Sequence, residues 1–166
     1  LNPNVTLSVA NSGVGVITQA IDINANGSGT TSITSANPVT FSGPVTLQDV
    51  HSGVIDSKTL TINSTAAAGL GMVFSGIIGE SASGASDDVL ALAKLGTGVL
   101  TLSGANTYKG GTSVSSGTLL VNNLTGSATG VGSVSINGTS VLAGNGIIAP
   151  GAGSSISIGA NATLSV

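Results

Sequence analysis

The sequence predicts an all-β protein built as a parallel β-solenoid, in which the chain winds in coils that stack along one axis. Three observations lead to this prediction. Short runs alternate apolar and small polar residues, clusters of Gly, Asn, Ser and Pro separate these runs, and aromatic residues make up only 2% of the 166 residues. Alternation with period two places one face of a strand in a core and the other face in water.

The alternating runs recur along the whole chain and are rich in the β-branched residues that strands prefer. They occupy residues 5–9, 45–47, 59–62, 99–102, 118–121, 133–136, 155–158 and 163–166. The clusters between them form turns, because their residues tolerate a positive φ or fix φ. The clusters lie at residues 11–13, 26–27, 37–38, 137–138, 145–146 and 150–151. The sequence therefore predicts many short strands and almost no helix.

One segment, residues 86–96, carries signals for both a helix and a strand. Ser86-Asp87-Asp88 has the composition of a helix cap, and Gly96 has that of a helix stop. The residues between them also alternate as a strand would. We predict a strand here, because the flanking pattern is typical of strands throughout.

The scarcity of aromatic residues favours a solenoid over a sandwich. A sandwich of this size usually fills the space between its sheets with large aromatics, whereas a narrow solenoid core is filled by stacked Val, Ile, Leu and Ala. At roughly 20–25 residues per coil, residues 1–166 make a single domain of about seven or eight coils. One strand spacing per coil gives a rod of about 35 Å. We expect Tyr108 to be a corner or core residue.

The composition excludes several classes of protein and of site. Three lysines, no arginine and six acidic residues do not form the basic surface that nucleic acid requires. The chain has no cysteine, so it holds neither a disulfide nor a Cys-ligated metal. Its longest apolar run, residues 66–78, contains glycines and is shorter than the roughly 18 residues of a transmembrane segment. Because the chain begins at Leu1 without a signal peptide, we expect a mature or excised segment.

Residues 94–122 carry the most specific pattern in the sequence. They read K-L-G-T-G-V-L-T-L-S-G-A-N-T-Y-K-G-G-T-S-V-S-S-G-T-L-L-V-N. This stretch resembles the autotransporter-associated β-strand repeat, whose pattern it matches at nearly every marked position. Residues 132–151 resemble the usual tail of such repeats and residues 59–79 resemble their lead-in. The likeness becomes weak before about residue 55.

This resemblance implies a right-handed single-stranded parallel β-helix that is extracellular or exposed on a bacterial cell surface. Repeats of this family form the stalk of large surface or secreted proteins, and they carry no catalytic residues of their own. The resemblance therefore implies a mechanical role for the repeat-like segment.

The two ends of the sequence are alike and carry no charge. Residues 4–9 and 161–166 are identical at five of six positions. A solenoid normally needs polar capping repeats, because an open end exposes core and unpaired backbone groups. We predict uncapped ends, and two interpretations stay open: a longer chain supplies flanking solenoid, or copies of this chain stack head to tail into a fibre. In a fibre, we expect the joint to contain Leu7, Val9, Leu164 and Val166.

Few residues are suited to chemistry, and the sequence predicts no catalytic residue, cofactor or metal. Asp49 and His51 share one face of a strand, as an acid–base pair or half a metal site would, but no second His or nucleophile accompanies them. Glu80, Asp87 and Asp88 form an acidic cluster without the spacing of a calcium motif. We interpret both groups as surface residues.

Six N-x-S/T sequences are possible glycosylation sites if the source glycosylates asparagine. Several of them arise by chance in a chain so rich in Asn, Ser and Thr. They are Asn4, Asn26, Asn63, Asn123, Asn137 and Asn161.

Composition and pattern favour a non-enzymatic extracellular structural protein, either a stalk or a self-stacking fibre subunit. Little charge opposes the association of such units. The alternative is a surface adhesin, a passenger segment that binds carbohydrate through regular outward rows of Thr. Thr97, Thr101 and Thr107 do not clearly make such a row. A polysaccharide-cleaving β-helix enzyme needs clustered Asp, Arg or Lys, and the chain has no Arg.

Overall fold

Short parallel β-strands form the regular secondary structure in the described part of the chain. The computed structural model describes residues 4–10, 15–24, 27–48, 55–66, 69–81 and 88–165. Within these residues lie seventeen strands and no helix. In chain order the strands are β1 (Val5–Ser8), β2 (Gly15–Ile17), β3 (Ile21–Asn24), β4 (Gly29–Ser35), β5 (Val39–Phe41), β6 (Val45–Gln48), β7 (Ser57–Ser64), β8 (Gly71–Phe74), β9 (Ile78–Glu80), β10 (Val89–Leu95), β11 (Val99–Leu102), β12 (Thr112–Val114), β13 (Thr118–Val121), β14 (Val134–Ile136), β15 (Val141–Gly144), β16 (Ile156–Ile158) and β17 (Thr163–Ser165).

The strands assemble into three sheets, and adjacent strands in each sheet are parallel. The first sheet has seven strands in the order β1-β4-β7-β10-β12-β14-β16, and the second has seven in the order β2-β5-β8-β11-β13-β15-β17. The third sheet contains β3, β6 and β9. The chain visits the sheets in turn, and after β9 it alternates between the first and the second. This arrangement confirms the predicted all-β class with stacked parallel strands.

Residues in register form ladders of inward-facing side chains, to which each strand adds one rung. The ladder of the first sheet consists of Leu7, Ile33, Ile62, Lys94, Val114, Ile136 and Ile158. The ladder of the second sheet consists of Gly15, Val39, Met72, Leu100, Leu119, Leu142 and Leu164. Rungs lie about 4.8 Å apart, so each inward side chain stacks on the one before it and excludes water from the core.

Aliphatic side chains fill most of the core, as the scarcity of aromatic residues predicted. Phe41 and Phe74 are in register in the second sheet, and their rings stack with centroids 4.6 Å apart. Tyr108 is fully buried, and a hydrogen bond of 2.6 Å joins its hydroxyl to that of Thr112. The prediction that Tyr108 is a core or corner residue is therefore confirmed.

The segment that carried both helix and strand signals forms a strand, β10. It pairs with β7 over seven residues, from Val89 opposite Ser57 to Leu95 opposite Asn63. Its alternate residues are buried and half-buried, so the period-two pattern decides its conformation. The strand prediction is confirmed.

The third sheet ends at β9, and the next layers on that side of the coil contain no strand. There the side chain of Asn106 makes the hydrogen bonds between layers that strand pairing makes elsewhere. The N–H of Ile78 in β9 donates to Asn106 Oδ1 at 2.8 Å, and Asn106 Nδ2 donates to the carbonyl of Ala128 at 2.5 Å. The N–H of Ala128 in turn donates to the carbonyl of Ile147 at 2.9 Å. The layers therefore remain bonded along the axis where no strand forms.

Candidate functional site

The predicted joint residues lie at opposite edges of the stacked sheets. Leu7 belongs to β1, at one edge of the first sheet, and both Leu7 and Val9 are partly buried against the core. Leu164 belongs to β17, at the opposite edge of the second sheet, and is 53% exposed. Val166 lies outside the described residues.

The edge formed by β16 and β17 leaves part of the core uncovered. We call it the late edge. Its inward side chains Ile156, Ile158 and Leu164 are 46%, 38% and 53% exposed. They border a cavity of about 250 Å³, which Leu142 and Ile148 also line. Large aliphatic side chains on a strand with unpaired backbone groups are the features of a surface that another strand covers.

The edge formed by β1 and β2, the early edge, is its structural counterpart. Leu7 and Ile17 point to the core from this edge and are partly buried. Val16 points outward and is 63% exposed. None of the strands β1, β2, β16 and β17 contains a charged residue. Neither pair of edge strands therefore carries the charges that commonly prevent edge-to-edge association.

The similar sequences at the two ends do not occupy equivalent positions. Residues 5–8 form β1 in the first sheet, whereas residues 163–165 form β17 in the second. The strand that matches β1 at the opposite edge is β16. Residues 4–9 and 161–166 therefore lie at opposite edges and in different sheets.

The repeat-like segment contains a buried lysine that the sequence reasoning did not single out. Lys94 is fully buried in the inward ladder of the first sheet. Its Nζ donates to the carbonyls of Leu95 at 2.6 Å, Gly96 at 2.7 Å and Ser116 at 3.3 Å. Burial lowers the pKa of Lys94 from its ordinary value of 10.5 to about 8. The ammonium thus joins the turn after β10 to the turn after β12.

A second group of buried charged residues lies at the start of β7 and just before β10. Asp56, Lys58 and Asp88 are each at most 4% exposed. Asp56 Oδ2 accepts from the N–H of Gly27 at 3.0 Å, Asp88 Oδ1 accepts from the N–H of Asp56 at 2.8 Å, and Lys58 Nζ donates to the carbonyl of Gly27. Burial lowers the pKa of Lys58, and the carboxylates of Asp56 and Asp88 oppose this shift. These bonds hold successive layers together.

Two of the three acidic residues predicted as a surface cluster, Glu80 and Asp88, bind backbone groups. Glu80 Oε1 accepts from the N–H of Leu90 at 2.9 Å and from that of Lys109 at 2.8 Å, whereas Asp88 is buried. The prediction that Asp88 is a surface residue is therefore wrong, because its carboxylate bonds to the adjacent layer. Asp87, and likewise the predicted pair Asp49 and His51, lie outside the described residues.

Among the residues that the structure describes, no three His, Asp or Glu side chains come together as metal ligands would. Over the same residues, no helix has the length and apolar character that crossing a membrane requires.

The asparagines of the N-x-S/T sequences have different environments. Asn4, Asn137 and Asn161 are exposed, Asn63 is half-buried and Asn123 is buried, whereas Asn26 lies outside the described residues.

Asn123 has a structural role that its sequence motif does not reveal. It is 2% exposed, and its Oδ1 accepts from the N–H of Ile147 at 2.8 Å. Its Nδ2 donates to the carbonyls of Thr125 at 3.0 Å and Gly126 at 3.1 Å. Its amide is thus committed to backbone groups, which leaves no free nitrogen to carry a sugar in this fold.

The residues expected of a carbohydrate-binding surface are not brought together. Thr101 lies in the second sheet between Val73 and Leu120, so its outward row is not a row of threonines. The three aromatic residues of the chain, Phe41, Phe74 and Tyr108, are all buried in the core. No aromatic ring is therefore exposed for a sugar to stack on.

The comparisons with known proteins agree with the stacked parallel fold over one part of the chain. The comparison with curated proteins and that with solved structures gave no match. A family model matches residues 92–121, and it covers strands β11, β12 and β13, the buried Lys94 and most of β10. Residues 92–121 are thus similar to the passenger-associated-transport-repeat, the kind of autotransporter repeat that the sequence pattern indicated.

Proposed function

We propose that this chain is a non-enzymatic structural segment of a secreted or cell-surface passenger. In this proposal residues 1–166 form one right-handed β-solenoid of seven coils. It is either a stalk, continued at its edges by flanking solenoid of a longer chain, or a fibre subunit whose copies stack head to tail. The similarity of residues 92–121 to a passenger-associated repeat supports the passenger role. The two seven-stranded parallel sheets support the solenoid, and parallel crossovers are overwhelmingly right-handed.

The observation that carries the assembly proposal is the late edge. Ile156, Ile158 and Leu164 expose large aliphatic surface beside a cavity, although their register partners Val134, Ile136 and Leu142 are buried. Covering a side chain of this size contributes about 1.5–3 kcal/mol when its burial is complete. A further parallel strand on this edge both buries these side chains and pairs the free backbone groups of β16 and β17.

The charges of the chain support a mechanical role rather than a chemical one. Only 5% of the residues are charged. The buried charged residues bond to the backbone of adjacent layers, and they are Lys94, Lys58, Asp56 and Asp88. These groups join one layer to the next, which holds a solenoid together along its axis. We propose no catalytic residue and no cofactor for the chain.

The alternative, an adhesin that binds surface carbohydrate, has less support. It needs an exposed aromatic ring or a regular outward Thr row. The aromatic residues are buried, and Val73 and Leu120 flank Thr101.

The assembly proposal is tested by sedimentation of the purified chain over a range of concentrations. We expect the wild type to form long polymers and Ile158→Lys to remain a folded monomer, because the lysine places a charge in the joint. The matched control is Leu124→Lys, since Leu124 is 92% exposed and lies outside both edges. We expect this control to polymerise as the wild type does. A wild type that stays monomeric at every concentration would show that copies of this chain do not cover the edge.

A further inference from the structure

We propose that Asn137 is a site of spontaneous modification, at which the side-chain amide deamidates through a cyclic imide formed with the backbone nitrogen of Gly138. The product is a mixture of aspartate and isoaspartate at residue 137. The site lies in the turn between β14 and β15. It therefore does not depend on what covers the edges of the sheets.

Three asparagines in the sequence are followed by glycine, namely Asn26, Asn137 and Asn145. This dipeptide is prone to deamidation, because glycine has no Cβ to shield its nitrogen. In each pair the glycine nitrogen can attack the side-chain carbonyl carbon of the asparagine before it. A glycine N–H that is held in a hydrogen bond reacts more slowly, because that bond must break first. The hydrogen bonds of the three glycines therefore decide which asparagine reacts.

Two of the three glycines have their N–H bonded to another layer. The N–H of Gly27 donates to Asp56 Oδ2 at 3.0 Å, and that of Gly146 donates to the carbonyl of Val121 at 2.9 Å. Gly146 is also closely packed, since a Cβ there would lie 2.5 Å from Asn123 Oδ1. The fold therefore blocks the attacking nitrogen at these two positions.

The turn between β14 and β15 leaves the third pair free to react. Its hydrogen bond runs from the N–H of Ser140 to the carbonyl of Asn137 at 3.2 Å, so Gly138 is the second residue of the turn, whose N–H a β-turn does not use. Among the residues that the structure describes, neither the N–H of Gly138 nor the side-chain amide of Asn137 has a hydrogen-bond partner. Both residues are exposed, and a Cβ at Gly138 would meet the carbonyl oxygen of Ser115 at an ordinary 3.4 Å. Water therefore reaches the amide, and the nitrogen is not closely packed.

The chemistry of the turn explains why this reactive pair occupies it. Gly138 has a φ of +61°, which glycine adopts without strain. Asparagine is common at the first position of a β-turn. The two residues that suit the turn are thus the ones that supply the amide and the nitrogen of the reaction.

The reaction needs no reagent other than water. The Gly138 nitrogen gives its proton to hydroxide and forms a bond with Cγ of Asn137, and the bond between Cγ and the side-chain nitrogen breaks. That nitrogen takes a proton from water and leaves as ammonia. A second water then opens the imide at one of its two carbonyl carbons. Breaking the bond from the Gly138 nitrogen to Cγ gives aspartate, and breaking its bond to the backbone carbonyl carbon gives isoaspartate.

Both products change the turn. Each event adds one negative charge to a chain whose formal net charge is −3 and of which only 5% of the residues are charged. The carbonyl of Asn137 accepts from the N–H of Ser140 and from its hydroxyl. Isoaspartate lengthens the main chain by one carbon and turns this carbonyl into part of a carboxylate. The chain therefore becomes more acidic with age at one defined turn.

Peptide mass spectrometry tests the site on chain made in a host that does not glycosylate asparagine, sampled over weeks in mildly alkaline buffer. Fragment spectra give the converted fraction at each asparagine, and chromatography separates isoaspartate from aspartate. In the folded chain we expect Asn137 to convert about tenfold faster than Asn26 and Asn145, because its attacking nitrogen has no hydrogen bond to break. The matched control is the same chain unfolded in guanidinium chloride, in which we expect the three asparagines to convert at similar rates.

The variant Asn137→Ser removes the reactive amide and keeps a residue that is common at the first position of a turn. We expect it to lose most of the acidic shift that the aged wild type shows on isoelectric focusing. A folded chain in which Asn145 converts as fast as Asn137, or in which Asn137 stays intact, would overturn the assignment. An acidic shift of undiminished size in Asn137→Ser would overturn it as well.

Discussion

Lys94 lies in register with Ile62, so a lysine occupies one rung of an otherwise aliphatic ladder. Its stem stacks between Ile62 and Val114, and its ammonium reaches the turns that follow β10 and β12. The ladder stays regular because the four-carbon stem is as apolar as its neighbours. The charge is held by carbonyls of two successive layers, so the same residue fills the core and joins the layers.

Replacement of Lys94 by methionine tests this double role. Met keeps most of the apolar stem but leaves the carbonyls of Leu95, Gly96 and Ser116 without this donor. We expect Lys94→Met to lower the free energy of unfolding by about 1–3 kcal/mol, measured by chemical denaturation. The control is Lys109→Met, because Lys109 is exposed. Equal effects of the two substitutions would contradict the role of the ammonium in joining the layers.

The buried titratable groups predict a maximum of stability in alkaline solution. The pKa of Lys94 falls from 10.5 to about 8 on folding, so between these values the unfolded chain holds a proton that the folded chain has lost. The free energy of unfolding therefore rises with pH in this window, by at most about 1.4 kcal/mol per pH unit for one group. Burial lowers the pKa of Lys58 as well, which acts in the same direction.

Tyr108 reverses this trend at higher pH. Burial raises its pKa above the ordinary 10.0, so the unfolded chain loses a proton that the folded chain keeps. Stability then falls as pH rises above about 10. Denaturation curves from about pH 7 to pH 11 measure both slopes. We expect Lys94→Met to remove most of the rise, and a wild-type stability that falls steadily from pH 8 upward would contradict the assignment.

We expect the substitution of Asn123 by alanine to destabilise the fold. Asn123→Ala removes the acceptor of the Ile147 N–H and the donor to the carbonyls of Thr125 and Gly126. Buried groups that lose their partners cost about 1–3 kcal/mol each. We expect a clear drop in melting temperature for Asn123→Ala and almost none for Asn122→Ala, because Asn122 is exposed. Similar drops for both would show that the amide of Asn123 does not hold the turn.

Gly71 is a glycine because a neighbouring strand lies too close for a Cβ, whereas Gly69 is one because its φ is positive. Substituting each by alanine compares the two effects on the free energy of unfolding. A Cβ at Gly71 would lie 1.9 Å from the carbonyl oxygen of Val99 in the paired strand. A Cβ at Gly69 has no atom within 4 Å, although φ there is +83°. We expect Gly69→Ala to cost about 1–2 kcal/mol, and Gly71→Ala to cost more because the strands must separate. Thermal unfolding measures both, and the reverse order would contradict the tight pairing of β8 with β11.

The alternating pattern predicted β11 within residues 99–102, and it also predicted short strands such as β14 and β16 within residues 133–136 and 155–158. Strands β2 (Gly-Val-Ile) and β12 (Thr-Ser-Val) do not alternate apolar and polar residues, so only their pairing with neighbouring layers defines them. In the alternation of residues 89–95, Lys94 shares a face with Leu92, but the pattern does not reveal which carbonyls bind the ammonium.

The candidate joint was predictable only in part. Leu7 and Leu164 lie at opposite edges, as a head-to-tail contact requires, but their sheets differ. The sequence shows that the two ends are alike, but it does not show which strands lie at equivalent positions. The strand order shows that β1 and β16 are the two edge strands of the same sheet. Predicting this from the sequence requires the number of residues in each layer. Layers vary from 19 to 33 residues between register partners, such as Leu100 to Leu119 and Val39 to Met72, so no fixed sequence period reveals it.

Electron microscopy of the purified native material tests head-to-tail assembly directly, because the axial repeat is measured from filament images. Seven strands per sheet at about 4.8 Å each give a repeat of about 34 Å along the axis. Head-to-tail assembly predicts long unbranched filaments with this repeat and right-handed coils in the reconstructed density. Monodisperse single rods would contradict assembly by copies of this chain, and filaments with an unrelated axial repeat would contradict the end-to-end continuation of the two sheets.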